Sequence, residues 1–292
     1  MVHQLSHHVV PVFAARIACV LTAWLFMAAA IAQQINAGPY VPSPQSVVAD
    51  MLKFAGVGPG DFVIDLGSGD GRIVRTAAQV YGARGFGVEI QDDLVRLSND
   101  AARKEGLADR VKFVKQDLFK TDISQATVLT MYLLPNTVNM LSEKFQAELR
   151  PGTRILSHDY GLAGWIPERT KQFDLEDKIK ISGVATTIIF LYVVPAKVAG
   201  NWRSTLPPAI ARQPVTFELS QQLQKVGGTA KLDGREVPLE EPRLVGESIS
   251  FRLSVERGRA LNFAGQVKGA SIVGSVETGG VRSPWTATLA AK

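Results

Sequence analysis

The sequence predicts an α/β protein: a mostly parallel, Rossmann-like sheet with an antiparallel end, followed by a small antiparallel β domain. Three observations carry this. From Asp61 onward, strand-like and helix-like stretches alternate, which indicates parallel strands joined by helices on both faces. The first strand runs into "GSGDGR", a glycine-rich turn placed directly before a helix. After Pro195 the helical periods stop, and apolar residues alternate with polar ones between glycine turns.

Ahead of this alternation, "SPQSVVADMLKFAGV" reads as a helix. Ser43 is expected as its cap and Pro44 as its first residue, where no amide donor is lost. Val47, Val48, Met51, Leu52 and Ala55 then recur at helical spacing. "FVIDL" is a strand and "RIVRTAAQVY" a helix; "RGFGVEI" is a strand and "QDDLVRLSNDAARKEG" a helix with a glycine stop. "RVKFVKQD" and "ATVLTMYLL" are strands, "PNTVNMLSEKFQAEL" is one helix closed by Pro151-Gly152, and "TRILSHDY" is a further strand. "FDLEDKIKI" and "TTIIFLYVV" follow with only a short loop, so they are expected to form an antiparallel pair at the sheet's end.

Beyond the break, "SISFRLSV" sets Ile249, Phe251, Leu253 and Val255 against polar neighbours, as a half-buried strand does. "VTFELS", "ALNFAGQV", "ASIVGSVE" and "WTATLA" repeat the pattern, with turns expected at Gly227-Gly228, Asp233-Gly234, Gly269 and Gly279-Gly280. A sandwich or a barrel fits equally. The expected organisation is residues 1–32 as a leader, 40–195 as the α/β domain and 198–292 as the β domain.

The leader contains "IACVLTAWLFMAAAIA", sixteen residues without a charge, ending in Ala30-Ile31-Ala32, the small-x-small form of a cleavage site. A cleaved signal peptide is expected over an uncleaved membrane anchor, because a spanning helix needs about 17–25 residues. Arg16 precedes the run and no basic residue follows until Lys53, a bias that sends the remainder across the membrane. Export or membrane association is therefore expected. The one cysteine, Cys19, lies inside this run, so neither a disulfide framework nor thiol chemistry is expected. His3, His7 and His8 precede the run and read as leader, and no metal site is expected. The net charge of +5 belongs to the C-terminal third, since residues 1–195 hold 19 basic and 19 acidic side chains. That excess is too mild to imply a nucleic-acid partner.

The glycine turn reads Asp65-x-Gly67-x-Gly69-x-Gly71. A nicotinamide or flavin fingerprint needs its third glycine where Arg72 stands, and a phosphate loop needs a Gly-Lys-Ser/Thr that is absent. Asp70 inside the turn would also face a pyrophosphate with like charge. Glu89 ends the second strand, where a carboxylate can accept both hydroxyls of a ribose. Asp117 follows the third strand, where a carboxylate can accept an adenine amine. Asp65 and Asp70 suit an ammonium group. Together these features describe an adenosine joined to a cationic amino acid without phosphate, which is S-adenosylmethionine.

From about Tyr40 to Trp165 the chain resembles the class I S-adenosylmethionine-dependent methyltransferases. "DLGSGDGR" is similar to the first motif of that family, "GVEI" to its second and "QDL" to its adenine-contacting motif. The resemblance implies that Gly67, Ser68 and Gly69 approach the methionine end of S-adenosyl-L-methionine. It places Asp65 near the amino group, Glu89 at the ribose, and Asp117 with the Leu118 amide at the adenine. "YVPSP", "DLGSGDGRIV" and "MYLLP" further resemble the small protein-lysine methyltransferases that modify mitochondrial carrier and ATP synthase proteins. This implies N-methylation of a protein acceptor, with "YVPSP" folding over the cofactor as a lid.

The place after the fourth strand holds "MYLLPN" rather than the N/D-P-P-Y/F box of amide and ring-nitrogen methylating members. Tyr132 and Asn136 there are the candidate catalytic residues, Tyr132 through its ring face or hydroxyl and Asn136 as a hydrogen-bond acceptor. His158 and Asp159, after the fifth strand, are placed to face the same cleft, as a deprotonating pair or as a hydrogen-bonded loop. The alternative is an envelope-associated binding protein whose β domain does the work and whose α/β domain is a scaffold.

Overall fold

The computed structural model describes residues 40–255 and 258–290. The expected leader, residues 1–32, and with it the choice between signal peptide and anchor, lies outside the described residues. Among the described residues no helix is long and apolar enough to cross a membrane.

Helix α1 (Gln45–Phe54) buries Val47, Val48, Met51 and Leu52. Its start differs from expectation. Pro44 is the cap, in extended geometry, and no side chain caps the helix. The Ser43 hydroxyl is instead bonded to His158, 115 residues away. Strand β1 (Phe62–Leu66) is followed by α2 (Arg72–Tyr81), β2 (Arg84–Glu89), α3 (Asp92–Lys104), β3 (Val111–Lys115) and β4 (Val128–Met131). The single helix expected after β4 is broken at Leu141 into α4 (Pro135–Met140) and α5 (Ser142–Glu148). Strands β5 (Arg154–His158), β6 (Arg169–Asp174) and β7 (Thr186–Val193) complete the sheet; the strand expected over "FDLEDKIKI" is displaced, since β6 lies earlier and most of that stretch is a short helix α6 (Glu176–Ser182). Its sequence opens with Glu176 and Asp177, favourable at a helix N-terminus, and closes at Gly183 in the left-handed region.

The strand order is β3-β2-β1-β4-β5-β7-β6. Strands β1 to β5 run parallel, whereas β7 pairs antiparallel with both β5 and β6. Val63, Ile64 and Leu66 of β1 are fully buried because this strand lies centrally, with helices on both faces. The order reverses at β1, so the C-terminal ends of β1, β2, β4 and β5 open a crevice.

A second sheet holds β8 (Gly200–Ser204), β9 (Val215–Gln222), β10 (Lys225–Leu232), β11 (Arg235–Pro238), β12 (Glu240–Val245), β13 (Ser248–Val255), β14 (Arg259–Lys268), β15 (Ser271–Thr278) and β16 (Val281–Leu289). All its pairings are antiparallel, in the order β11-β10-β9-β8-β16-β15-β14-β13-β12. The two edge strands are consecutive in the chain, and the Leu239 amide donates to the Gly228 carbonyl at 3.0 Å near their junction. The result is a nearly closed barrel rather than a sandwich. Phe217, Phe251, Phe263 and Trp285 fill it, with ring centroids 4.9–5.9 Å apart. Such pairs gain about 0.5–1.5 kcal/mol beyond their burial. Gly227-Gly228, expected as a turn, lies within β10. A Cβ on Gly228 would stand 1.9 Å from the Glu218 carbonyl oxygen, so this glycine permits close strand approach.

Candidate active site

The glycine turn is left-handed at Gly67, Gly69 and Gly71, with φ of 75°, 54° and 80°. What closes on each is the protein's own side chain. A Cβ on Gly67 would lie 2.8 Å from Leu133 Cδ2, one on Gly69 2.4 Å from Tyr40 Cε2, and one on Gly71 2.5 Å from Phe113 Cζ. The glycines thus seat β4's end, the segment before α1, and β3 against the turn. The Ser68 hydroxyl within it is buried without a hydrogen-bond partner.

Asp65 of β1 and Glu89 of β2 meet at this turn, and Asp117 follows β3. Asp65 is 2% exposed and accepts the Thr130 hydroxyl at 2.7 Å. Burial, with Glu89 and Asp70 nearby, pushes its carboxyl up to about 7 even though Thr130 opposes the shift. Glu89 is also buried; its Oε2 accepts the Gly69 amide at 3.0 Å and its Oε1 accepts the amides of Ile90 and Gln91. Glu89 therefore ties the turn to the end of β2 while Oε2 keeps acceptor capacity. Asp117 is half-buried, and its Oδ1 accepts the Phe119 amide at 2.9 Å. It stands beside the end of β2, where the Gln116 amide donates to the Glu89 carbonyl. Leu118 follows it, also half-buried.

Asp70 does not act as the second ammonium-seeking acid. Arg72 grips both of its oxygens, from Nε at 3.0 Å and Nη2 at 2.7 Å, and the Arg72 amide adds a third bond. Burial would raise this carboxyl, but those bonds and the Arg72 charge hold it below the usual range. The pair braces the turn.

Across the crevice, Tyr132 is half-buried with its ring 4.0 Å from that of His158 and 6.5 Å from that of Tyr160. Burial first, then the Asp159 carboxylate, raise its phenol above the ordinary value. His158 is fully buried, pairs through Nδ1 with the Ser43 hydroxyl at 2.9 Å, and is pushed down to about 4 by burial. Asp159 sits in the left-handed region at φ 63° and accepts Lys178 Nζ at 2.7 Å and the Ile188 amide at 3.1 Å. These two residues form a hydrogen-bonded loop, and Asn136 stands exposed on α4. Sequence reasoning brings Tyr40 and Ser43 to the site only as members of the "YVPSP" lid, and does not single out Thr130 or Lys178.

The site fits an adenosine-bearing cation. Its inner acid is raised by burial beside neighbouring negative charge, an unpartnered hydroxyl lies in the turn, and Asp117 stands where a base amine can donate. Residues 65–169 match the model of the ANTKMT methyltransferase domain. A protein-lysine N-methyltransferase of Saccharolobus islandicus is 43% identical over 157 residues, 53% of this chain and 93% of that relative. The adenine nucleotide translocase lysine N-methyltransferase of Mus musculus is 35% identical over 44% of this chain. The match spans 56% of that relative's length. A crystal structure described as an RNA methyltransferase from Salinibacter ruber, in complex with S-adenosyl-L-homocysteine, is 43% identical. It covers 54% of this chain and 96% of that chain, with a TM-score of 0.49. The chain belongs to the class I S-adenosylmethionine-dependent methyltransferases.

Proposed function

We propose that this enzyme methylates a protein lysine, with the cofactor on the ends of β1 to β3 and the acceptor entering beside Tyr132. The observation that carries this reading is the seating of β4's end on the glycine turn. Leu133 packs on Gly67, which brings the neighbouring Tyr132 beside the proposed methionine pocket. The Saccharolobus islandicus relative, named for lysine and covered over 93% of its length, supports the acceptor class.

When bound, S-adenosylmethionine supplies a methyl group already activated on a sulfonium, so the chain's task is positioning. In this assignment Asp65 faces the amino group, Ser68 lies along the methionine end, Glu89 holds the ribose, and Asp117 with the Leu118 amide holds the adenine. Tyr132 remains a phenol near neutral pH, and His158, with its depressed basicity, draws protons poorly. Tyr132 therefore orients the incoming amine rather than deprotonating it, and Asn136 flanks the entry as an acceptor.

Two measurements test this. Calorimetric titration should show Glu89→Ala and Asp117→Ala each weakening cofactor binding by about 1.5–3 kcal/mol, the value of hydrogen bonds to a charged acceptor. Unchanged affinity in both would discard these assignments. Incubating the enzyme with total cell protein and methyl-labelled cofactor should place label on lysine by peptide mass spectrometry. Label found only on nucleic acid or small molecules would exclude the lysine reading.

A further inference from the structure

Helix α6 buries a lysine. Lys178 is 3% exposed, and its Nζ pairs with both carboxylate oxygens of Asp159, each at 2.7 Å, while also donating to the Thr186 carbonyl. Asp159 directly follows β5, at the end of the sheet where Tyr132 stands. Burial and then this carboxylate's charge raise the Tyr132 phenol. Strand β7 fixes Asp159 from a third side: its amide donates to the Ile188 carbonyl at 2.7 Å, and its Oδ1 accepts the Ile188 amide at 3.1 Å.

The groups around Asp159 leave Lys178 to answer its charge. His158 brings Nε2 to 3.5 Å from Asp159 Oδ1, but burial pushes this imidazole down to about 4, so it is neutral near pH 7. Tyr132 and Tyr160 bring hydroxyls rather than cations, and the Ser43 hydroxyl meets the other nitrogen of His158. From β7 come the backbone groups of Thr186 and Ile188. The other charges of α6 and β6 lie on exposed surface, where Lys180 pairs with Asp177, Asp174 accepts the Thr186 hydroxyl, and Glu176 faces solvent. Among the described residues, Lys178 is the counter-charge of Asp159.

Packing does not require this pair. Position 159 is left-handed at φ 63°, where glycine or asparagine fits without a charge to bury. A buried ion pair adds little stability over apolar side chains of like volume. An amine acceptor gives the pair a task. A lysine ammonium has no free lone pair, so it must release a proton to solvent before its nitrogen can take the methyl group. A free carboxylate beside it would hold that proton in place. We propose that Lys178 is a positioning residue of the acceptor side, pinning Asp159 next to Tyr132 and cancelling its charge, so that the entering amine meets no free anion. The proposal rests on the lysine reading above and deepens it, by naming what favours the neutral acceptor nitrogen in the crevice.

The test is the pH profile of methyl transfer by the full chain. Initial rates of label entering lysine in total cell protein, at saturating S-adenosylmethionine, are measured from about pH 6 to 10, where an amine loses its proton. The native rate should rise with pH to a plateau. Lys178→Gln keeps a donor toward Asp159 but loses the charge. Its midpoint should move up by about one pH unit or more, with the rate about tenfold below native under the midpoint and recovering above it. The double variant Lys178→Gln with Asp159→Asn removes both charges and should return the midpoint to native, which a purely structural role would not do. Asp159→Asn alone leaves the ammonium unopposed and should move the midpoint down, and it decides the matter should Lys178→Gln fail to fold. A native midpoint in Lys178→Gln, whatever its overall rate, would overturn the proposal and leave the lysine reading standing. An unshifted Asp159→Asn, or a double variant shifted as far as Lys178→Gln, would overturn it as well. No label on lysine with the native enzyme would remove the lysine reading and the proposal with it.

Discussion

At the scale of single residues, the buried Asp65 carboxyl costs stability when it is charged. Its carboxyl is buried beside other acids and, among the described residues, has only the Thr130 hydroxyl as its bonded side-chain partner. Because its folded value, about 7, lies above the ordinary 3.8, the folded state holds a proton that the unfolded state releases between those values. Stability from this group is therefore greatest at low pH and is lost as pH rises through 7. A cationic ligand reverses the preference by favouring the charged form. Asp65→Asn, which still accepts from Thr130, should melt above the native protein at pH 8, with the advantage shrinking toward pH 4. The same variant should lose cofactor affinity at pH 8. His158 loses its stabilising neutrality as pH falls from 6.5 toward about 4, but this is common to both proteins and cancels in the comparison. A variant that melts no higher than native at pH 8 would show that the Asp65 charge is not a burden.

At the scale of elements, the acids are legible because strand ends can be read from apolar runs, and Asp65, Glu89 and Asp117 each fall where a run stops. The glycine turn is legible as a turn but not for its reason. Sequence suggests a ligand against the backbone; the structure puts Leu133, Tyr40 and Phe113 there, side chains that reach it only through tertiary packing. Ser43 likewise reads as a helix cap because local spacing cannot show a partner 115 residues away. Gly71 is the sharpest case. It starts α2 at φ 80°, and a Cβ would meet Phe113 Cζ at 2.5 Å and Ser98 Cβ at 2.8 Å. Gly71→Ala should destabilise the protein by about 2 kcal/mol or more, combining left-handed strain with overpacking. The melting temperature should fall by about 5 °C. An unchanged melting curve would mean that β3 and α3 can yield, and that the turn is less constrained than its contacts imply.

At the scale of the whole molecule, the barrel contacts the loop that carries Tyr160. The family match ends at residue 169, and the barrel begins later, at β8. Its attachment is still specific: the Ala196 amide donates to the Gly246 carbonyl at 2.7 Å, and Arg243 pairs with Glu168 at 2.5 Å. The alternation after Pro195 makes the strands legible, but polar surface residues give no sign of what they touch. Gln224, in the β9–β10 turn, uses both ends of its amide on one residue. Its Oε1 accepts the Ile166 amide at 3.3 Å and its Nε2 donates to the Ile166 carbonyl at 3.2 Å. Ile166 belongs to the same loop as Tyr160, whose ring stacks on Tyr132. The same loop is held from the other side, where the Trp165 indole donates to Ser142 and the Ala163 amide donates to Asn139. Gln224→Ala should therefore loosen the loop on its barrel side alone. Cofactor affinity by calorimetry should stay within about twofold of native, because no cofactor-side residue moves. Methyl transfer to cell protein at saturating cofactor should fall by about threefold to tenfold, the loss of one or two modest hydrogen bonds that position the acceptor wall. If transfer is unchanged, the barrel does not reach the active site through this loop. If cofactor affinity falls as well, the barrel supports the whole crevice rather than its acceptor side.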